Sequence, residues 1–371
     1  MRPTPSIERD RDDHCPGVLR LRDAADGALA RVRLPGGYLT ADALHVLARA
    51  ASELGDGRLE LTSRANIQLR GLAATAGPDL ARRLGDAGLL PSSTHERVRN
   101  ILASPLSGLD GPPLDDLVGE LDRQLCADPE LAELSGRFLF ALDDGRGDVA
   151  GLGADLVAVV TSGRAVVEGM EVERADVPAT LRRAAHAFLA ERAAQAAPAW
   201  RVAELIDGRL RVRARLGATA TETATETIGR EPAGAIRQLD GRTALAVIAP
   251  LGRLDAAQAQ WIADQVSGRP ARLTVGRTIV VPDLVDAEPV RRQAEARGLG
   301  VGTESRWFAV TACAGRPGCA KALADVQADA AAAARPGQPR THWSGCERRC
   351  GRPADTEIDR VATGHGYRVS A

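Results

Sequence analysis

Four of the six cysteines fall between Thr311 and Pro353 in two tight pairs, Cys313 and Cys319 as C-x5-C and Cys346 and Cys350 as C-x3-C. Thiolates are soft ligands. Four of them within roughly forty residues, flanked by Gly, Pro and Arg, suit a soft metal centre better than a dry core. A 4Fe-4S cluster is the first reading of this spacing. Zinc is the alternative, although its sites usually pair cysteines across about two to four intervening residues, and C-x5-C is wider than that. Disulfides rank last. Met1 to Asp13 is charged and lacks the apolar run of a secretory signal, so a reducing, cytoplasmic setting is expected. Cys15 and Cys126 stand without sequence partners and read as structural residues.

A second stretch with chemical content runs from Leu59 to Leu72. Read as one strand, its period of two puts Thr62, Arg64, Asn66, Gln68 and Arg70 on one face and Leu61, Ser63, Ala65, Ile67 and Leu69 on the other. The bland reading is a packed face backed by a solvated one. Solvated faces favour Lys, Glu and Thr, however, whereas arginines interleaved with carboxamides match an oxyanion or a ligand with many carboxylates. Arg97-Val98-Arg99-Asn100 continues the theme. Gly151-Leu152-Gly153 is not a dinucleotide loop, because the third glycine is missing and Asp148-Val149-Ala150 before it is no buried strand.

The elements that must hold these residues can be read from periodicity. Leu29 to Leu34 alternates as a strand, Pro35-Gly36-Gly37 turns it, and Thr40 caps a helix whose Leu44, Leu47, Ala48, Ala51 and Leu54 share one face before Gly55 stops it. Asp115 to Leu125 and Val177 to Ala194 are amphipathic helices; Arg137 to Leu142 and Ala154 to Thr161 are strands. With 371 residues and 44% hydrophobic content the chain can bury a large core in two or three domains. A net charge of −1 and 3% aromatics give no footprint for nucleic acid. No run approaches eighteen apolar residues, so no membrane span is expected.

The second half repeats the first at an offset of roughly 210 residues. Pro250-Leu251-Gly252-Arg253-Leu254-Asp255 echoes Pro35-Gly36-Gly37-Tyr38-Leu39-Thr40. Leu273-Thr274, with Arg277 and the strand Ile279 to Val281 after it, echoes Leu61-Thr62. The strand Phe308 to Val310 enters the first cysteine pair as Arg99 to Leu102 enters the Ser104-Pro105 loop. One copy keeps the polar row and the other keeps the cysteines.

These residues resemble the nitrite and sulfite reductase family over nearly the whole chain. The carriers are Pro35-Gly36-Gly37 with Leu39-Thr40, the run Thr62 to Gly71, Arg99-Asn100-Ile101, and the paired cysteines with Ser344-Gly345 before Cys346. The resemblance implies an α+β fold with two ferredoxin-like halves (14–76 and 200–286) and two cluster-domain halves (90–196, without cysteine ligands, and 290–371) in pseudo-twofold arrangement, after a loose terminus at 1–13. It makes Cys313, Cys319, Cys346 and Cys350 the ligands of a 4Fe-4S cluster. Thr62, Arg64, Asn66, Gln68, Arg70, Arg99, Asn100 and Arg137 become the wall that meets the carboxylates of a tetrapyrrole.

Within the family, His14-Cys15-Pro16-Gly17, the loop Ala103 to Asp110 and the compact length resemble the branch that oxygenates a precorrin in aerobic cobalamin synthesis. That branch implies precorrin-3A and O2 as substrates, meso hydroxylation with lactone closure, an additional non-haem iron, and electrons from a separate donor protein or from NADH through one. Assimilatory sulfite reductases set two alternating lysines against the anion. Here the corresponding run is Leu134 to Leu139, where Arg137 stands for the first lysine and Leu139 cannot stand for the second. Two rivals remain: a sulfite or nitrite reductase carrying siroheme, and a zinc-stapled module without enzymatic activity.

Overall fold

The computed structural model describes residues 13–218 and 231–371. The expected loose terminus therefore lies almost wholly outside the described residues. The chain forms two compact units, one drawn from Met1–Pro16, Arg33–Gly37 and Pro91–Arg230, the other from Gly17–Val32, Tyr38–Leu90 and Glu231–Ala371.

In the second unit a five-stranded sheet runs Arg22–Ala24, Gly27–Val32, Ile67–Leu72, Arg58–Leu61 and Arg253–Asp255, and its counterpart runs Gly234–Arg237, Thr243–Ile248, Thr278–Leu284, Ala271–Leu273 and Tyr38–Leu39. The edge strands are exchanged. Arg253 and Leu254 pair with Glu60 and Leu59, while Tyr38 and Leu39 pair with Arg272 and Ala271, so each half completes the other's sheet about a pseudo-twofold. Each exchanged strand leads into a capped helix. Thr40 Oγ1 accepts from Ala43 N at 3.1 Å ahead of Ala41–Leu54, and Asp255 Oδ1 accepts from Gln258 N at 2.7 Å ahead of Ala256–Gln265. The repeat extends to single hydrogen bonds: Thr62 N to Asn66 O and Thr274 N to Thr278 O are both 2.9 Å.

The same unit carries a four-stranded sheet in which Val310–Ala312, Thr341–Ser344 and Ile358–Thr363 are parallel and Gly366–Ser370 returns antiparallel. The first unit has a sheet of like build, with Ile101–Ala103, Phe140–Asp143 and Leu156–Val160 parallel and Ala165–Val167 antiparallel. The helices Asp115–Ala127 and Val177–Ala194 belong to this unit. Among the described residues no helix is long and apolar enough to cross a membrane.

Three strands differ from expectation. Leu59 to Leu72 is a hairpin, not one strand: Ala65 sits at φ 50°, and Thr62 Oγ1 accepts from Asn66 N at 3.1 Å to close the turn. Periodicity could not show this, because the polar and apolar alternation passes through the turn unbroken. The strand expected from Arg137 starts at Phe140, since a turn closed by Phe138 N to Ser135 O at 2.9 Å takes the preceding residues. Phe308 likewise closes a turn on Ser305 O at 3.0 Å, and the strand is Val310–Ala312.

Candidate functional site

The two cysteine pairs are brought together by parallel strand pairing. Val310, Thr311 and Ala312 lie beside Thr341, His342 and Trp343, so Cys313 and Cys346 both come after the C-terminal ends of neighbouring strands. Cys313 N donates to Trp343 O at 2.9 Å and Gly345 N donates to Cys313 Sγ at 3.1 Å, which ties the first cysteine to the strand that carries the second pair. All four thiols are free. Burial pushes the Cys313 thiol up, and the charges of Cys350 and Cys319 act in the same direction.

Glycines let these loops approach. A Cβ on Gly345 would meet Ala322 Cβ at 2.7 Å, and one on Gly315 would meet Val326 Cγ2 at 2.7 Å. A Cβ on Gly318 would lie 2.9 Å from Asp26 Oδ2 and 3.1 Å from Arg70 Nη2. These loops are a narrow cradle with four soft donors, and the donor set fits an iron-sulfur cluster.

The polar row is buried rather than solvated: Asn66, Gln68 and Arg70 are 2%, 8% and 5% exposed. Arg70 forks onto Asp26 at 2.9 and 2.8 Å and also donates to the carbonyl of Gly318, between Cys313 and Cys319. Burial works against its charge, but the Asp26 and Glu60 carboxylates outweigh that and hold the guanidinium above its ordinary pKa. Gln68 accepts from Arg31 Nη2 at 2.9 Å and donates to Glu60 Oε2 at 2.8 Å, and Glu60 in turn accepts from Arg253 Nε at 2.9 Å. Thr62 and Arg64 sit half-buried at the hairpin turn, with Arg64 N against Thr62 Oγ1 at 3.4 Å. The row thus braces the first cysteine loop through Arg70 and presents Arg64 at its tip.

Arg99, Asn100 and Arg137 belong to the first unit. Arg99 forks onto Asp122 with two bonds of 2.7 Å, and Asn100 Nδ2 donates to Arg97 O at 3.1 Å and Gly136 O at 3.0 Å. Arg137 is exposed and stacks 4.7 Å from the Trp200 ring centroid. Leu139 is 4% exposed, and its N–H is held by Asp155 Oδ2 at 2.9 Å. Cys15 Sγ accepts from Arg33 Nη2 at 3.1 Å and lies 3.3 Å from Gly136 O, while Cys126 lies on the helix Asp115–Ala127, where burial pushes its thiol up.

Sequence reasoning missed Asp26 and Glu60 and gave no role to Arg277 or His342. Arg277, at φ 66°, donates to Gly351 O at 2.8 Å, next to Cys350, and burial holds its guanidinium below its ordinary pKa despite Glu60 and Glu231. Its place in the repeat, opposite Ala65, was the available signal. His342 is fully buried, with Nδ1 2.8 Å from Thr311 Oγ1; alternation back from Cys346 would have put it on the cysteine face.

Residues 22–87 match the family described as Nitrite/Sulfite reductase ferredoxin-like half domain. The chain has the nitrite/sulfite reductase fold: it superposes on Mycobacterium tuberculosis NirA protein with a TM-score of 0.72, at 21% identity, covering 92% of this chain and 74% of that one. In sequence the chain resembles a precorrin-3B synthase from Sinorhizobium sp., with 27% identity across 95% of this chain and 81% of the relative. A ferredoxin–nitrite reductase from Leptolyngbya laminosa is 41% identical, but over 24% of this chain and 18% of the relative.

Proposed function

We propose that the protein is a precorrin-3B synthase, which hydroxylates precorrin-3A with one atom of O2 and closes the ring A acetate as a lactone. The observation that carries this is extent: similarity to a precorrin-3B synthase spans 95% of the chain, whereas the ferredoxin–nitrite reductase match spans 24%. Cys313, Cys319, Cys346 and Cys350 hold a 4Fe-4S cluster, which supplies electrons one at a time. Arg64 at the hairpin tip meets a tetrapyrrole carboxylate, Arg70 holds the cysteine loop against that hairpin, and Arg99 and Asn100 fix their own loop. Leu139 offers neither charge nor a proton where sulfite reductases place a lysine, which disfavours reduction of a small oxyanion.

The hydroxylation consumes one O2, two electrons and two protons per substrate, releasing one water. The electrons come from a donor protein or an NADH-linked reductase, and the additional non-haem iron that the resemblance implies would, when bound, supply the activation of O2. The test is isotopic. Reconstituted protein given precorrin-3A, a reductant and labelled O2 should yield product with one labelled oxygen, and none under argon. Turnover of sulfite or nitrite with a viologen donor, together with copurifying siroheme, would replace this reading with the reductase one; one zinc per chain without sulfide would replace it with the binding module.

A further inference from the structure

Each cysteine loop is held by one arginine, and each arginine comes from one of the two like hairpins. Arg70 donates to the carbonyl of Gly318 in the first loop, and Arg277 Nη2 donates to the carbonyl of Gly351, the residue after Cys350, at 2.8 Å. Glycines make room for both contacts. A Cβ on Gly318 would lie 3.1 Å from Arg70 Nη2, one on Gly351 would lie 2.9 Å from Arg277 Nη2, and one on Gly252 would run into Arg277 Cδ. The Arg277 guanidinium therefore lies against the backbone of the C-x3-C loop.

The two arginines differ in how their charge is met. Arg70 forks onto Asp26 at 2.9 and 2.8 Å. Arg277 is 7% exposed and bonds the Gly351 carbonyl, but among the described residues no carboxylate forms an ion pair with it. Glu60 and Glu231 act on it only from a distance, because both are engaged elsewhere: Glu60 with Arg253 at 2.6 Å and Gln68 at 2.8 Å, Glu231 with Thr274 Oγ1. The neighbouring cations of the loop are no parallel, since Arg349 and Arg352 share Asp359 at 2.5 and 3.5 Å and Arg348 is exposed to water. A buried cation without a counter-charge is costly unless something supplies one. Four thiolates on an iron-sulfur core are net negative and gain further negative charge on reduction, so such a centre would supply it.

We propose that Arg277 is the charge-compensating residue of the iron-sulfur centre: it positions the Cys350 loop through the Gly351 carbonyl, and its unpaired charge raises the centre's reduction potential. This rests on the reading of the four cysteines as cluster ligands. The effect is Coulombic, so it depends on distance and burial rather than on a bond to sulfur. A buried positive charge is little screened and favours the reduced, more negative centre.

The test uses the full chain purified without oxygen, as wild type, Arg277→Gln and Arg277→Lys. The first variant keeps a donor for the Gly351 carbonyl and loses the charge; the second keeps the charge and loses the fork. Iron and acid-labile sulfide are counted first, and the midpoint is then read by EPR-monitored redox titration. Arg277→Gln should keep its iron and titrate at lower potential, with Arg277→Lys at or near the wild-type value. Full iron and the wild-type midpoint in Arg277→Gln would overturn the proposal, as would a midpoint in Arg277→Lys lowered as far as in Arg277→Gln. Should Arg277→Gln fail to assemble the centre, Arg277→Lys decides alone. Wild-type iron and midpoint there uphold the role of charge, whereas iron lost there too would show that the loop needs the shape of the guanidinium, and would count against the proposal. Wild type without sulfide is a separate result, which removes the cluster reading itself.

Discussion

Two parallel strand pairs in this chain end in loops of the same build and opposite filling. In the first unit Ser104 N donates to Leu142 O at 3.1 Å and Asp144 N donates to Ser104 Oγ at 3.1 Å. In the second, Cys313 N donates to Trp343 O at 2.9 Å and Gly345 N donates to Cys313 Sγ at 3.1 Å. Ser104 stands where Cys313 stands. Around Ser104 the carboxylates are taken up within the loop: Asp143 accepts from Gly145 and Gly147 N at 2.9 Å and from Val149 and Ala150 N at 3.0 Å, Arg146 covers Asp144, and Asp148 takes the Ser104 hydroxyl. Around Cys313 the acceptor is a thiol sulfur, which takes the Gly345 N–H. A duplicated backbone can therefore present hard oxygen acceptors in one copy and soft thiols in the other, according to the residues its loops carry.

The largest effect that this contrast predicts is at the thiols. Cys346→Ser should lose iron and sulfide together with stability, because assembly of such a centre is coupled to folding, and iron retained at the wild-type level would break the comparison. Cys15→Ala and Cys126→Ala should keep full iron in the same assay.

Next comes Arg70→Ala. It strands Asp26 and releases the Gly318 carbonyl, so unfolding should cost about 3–5 kcal/mol less, the usual penalty for breaking a buried pair from one side. Iron should fall with it. Arg64→Ala, at the hairpin tip, should leave iron intact and weaken only tetrapyrrole binding in a fluorescence titration, and equal iron loss in both variants would show that the whole row is structural.

The first loop carries a pH signature. Burial raises Asp148 to about 6, with the Ser104 bond opposing and Asp143 and Asp144 adding to the rise. Between about pH 4 and 6 the folded loop then binds more protons than the unfolded chain, so its stability falls as pH rises through that window. Asp148→Asn removes the penalty. It should stabilise the protein at pH 7 by up to about 3 kcal/mol, with the gain vanishing below pH 4 in thermal or urea unfolding. A gain that is the same at both pH values would assign it to packing.

Sequence period and caps were enough for the helices from Ala41 and Ala256 and for the duplication, because each depends on local spacing. The hairpin was hidden, since Thr62 to Asn66 closes a turn without a glycine and the alternation of Leu59 to Leu72 runs through it. The pairing of Arg70 with Asp26 was hidden for another reason. It joins residues far apart in sequence, and an arginine engaged by an internal carboxylate has the same sequence pattern as one kept for a ligand.

The finest test exchanges one atom between the two loops. Ser104 is fully buried and bonds both Asp144 N and Asp148, so Ser104→Cys replaces a strong donor with a weak one and adds bulk. About 1–2 kcal/mol of stability should be lost. Iron and sulfide per chain should not change, because the residues after Phe140–Asp143 present carboxylates and amides, which are hard donors, rather than three further thiolates. Additional iron in this variant, counted against wild type, would mean that the strand frame itself recruits metal and that the side chains of the first loop merely suppress it.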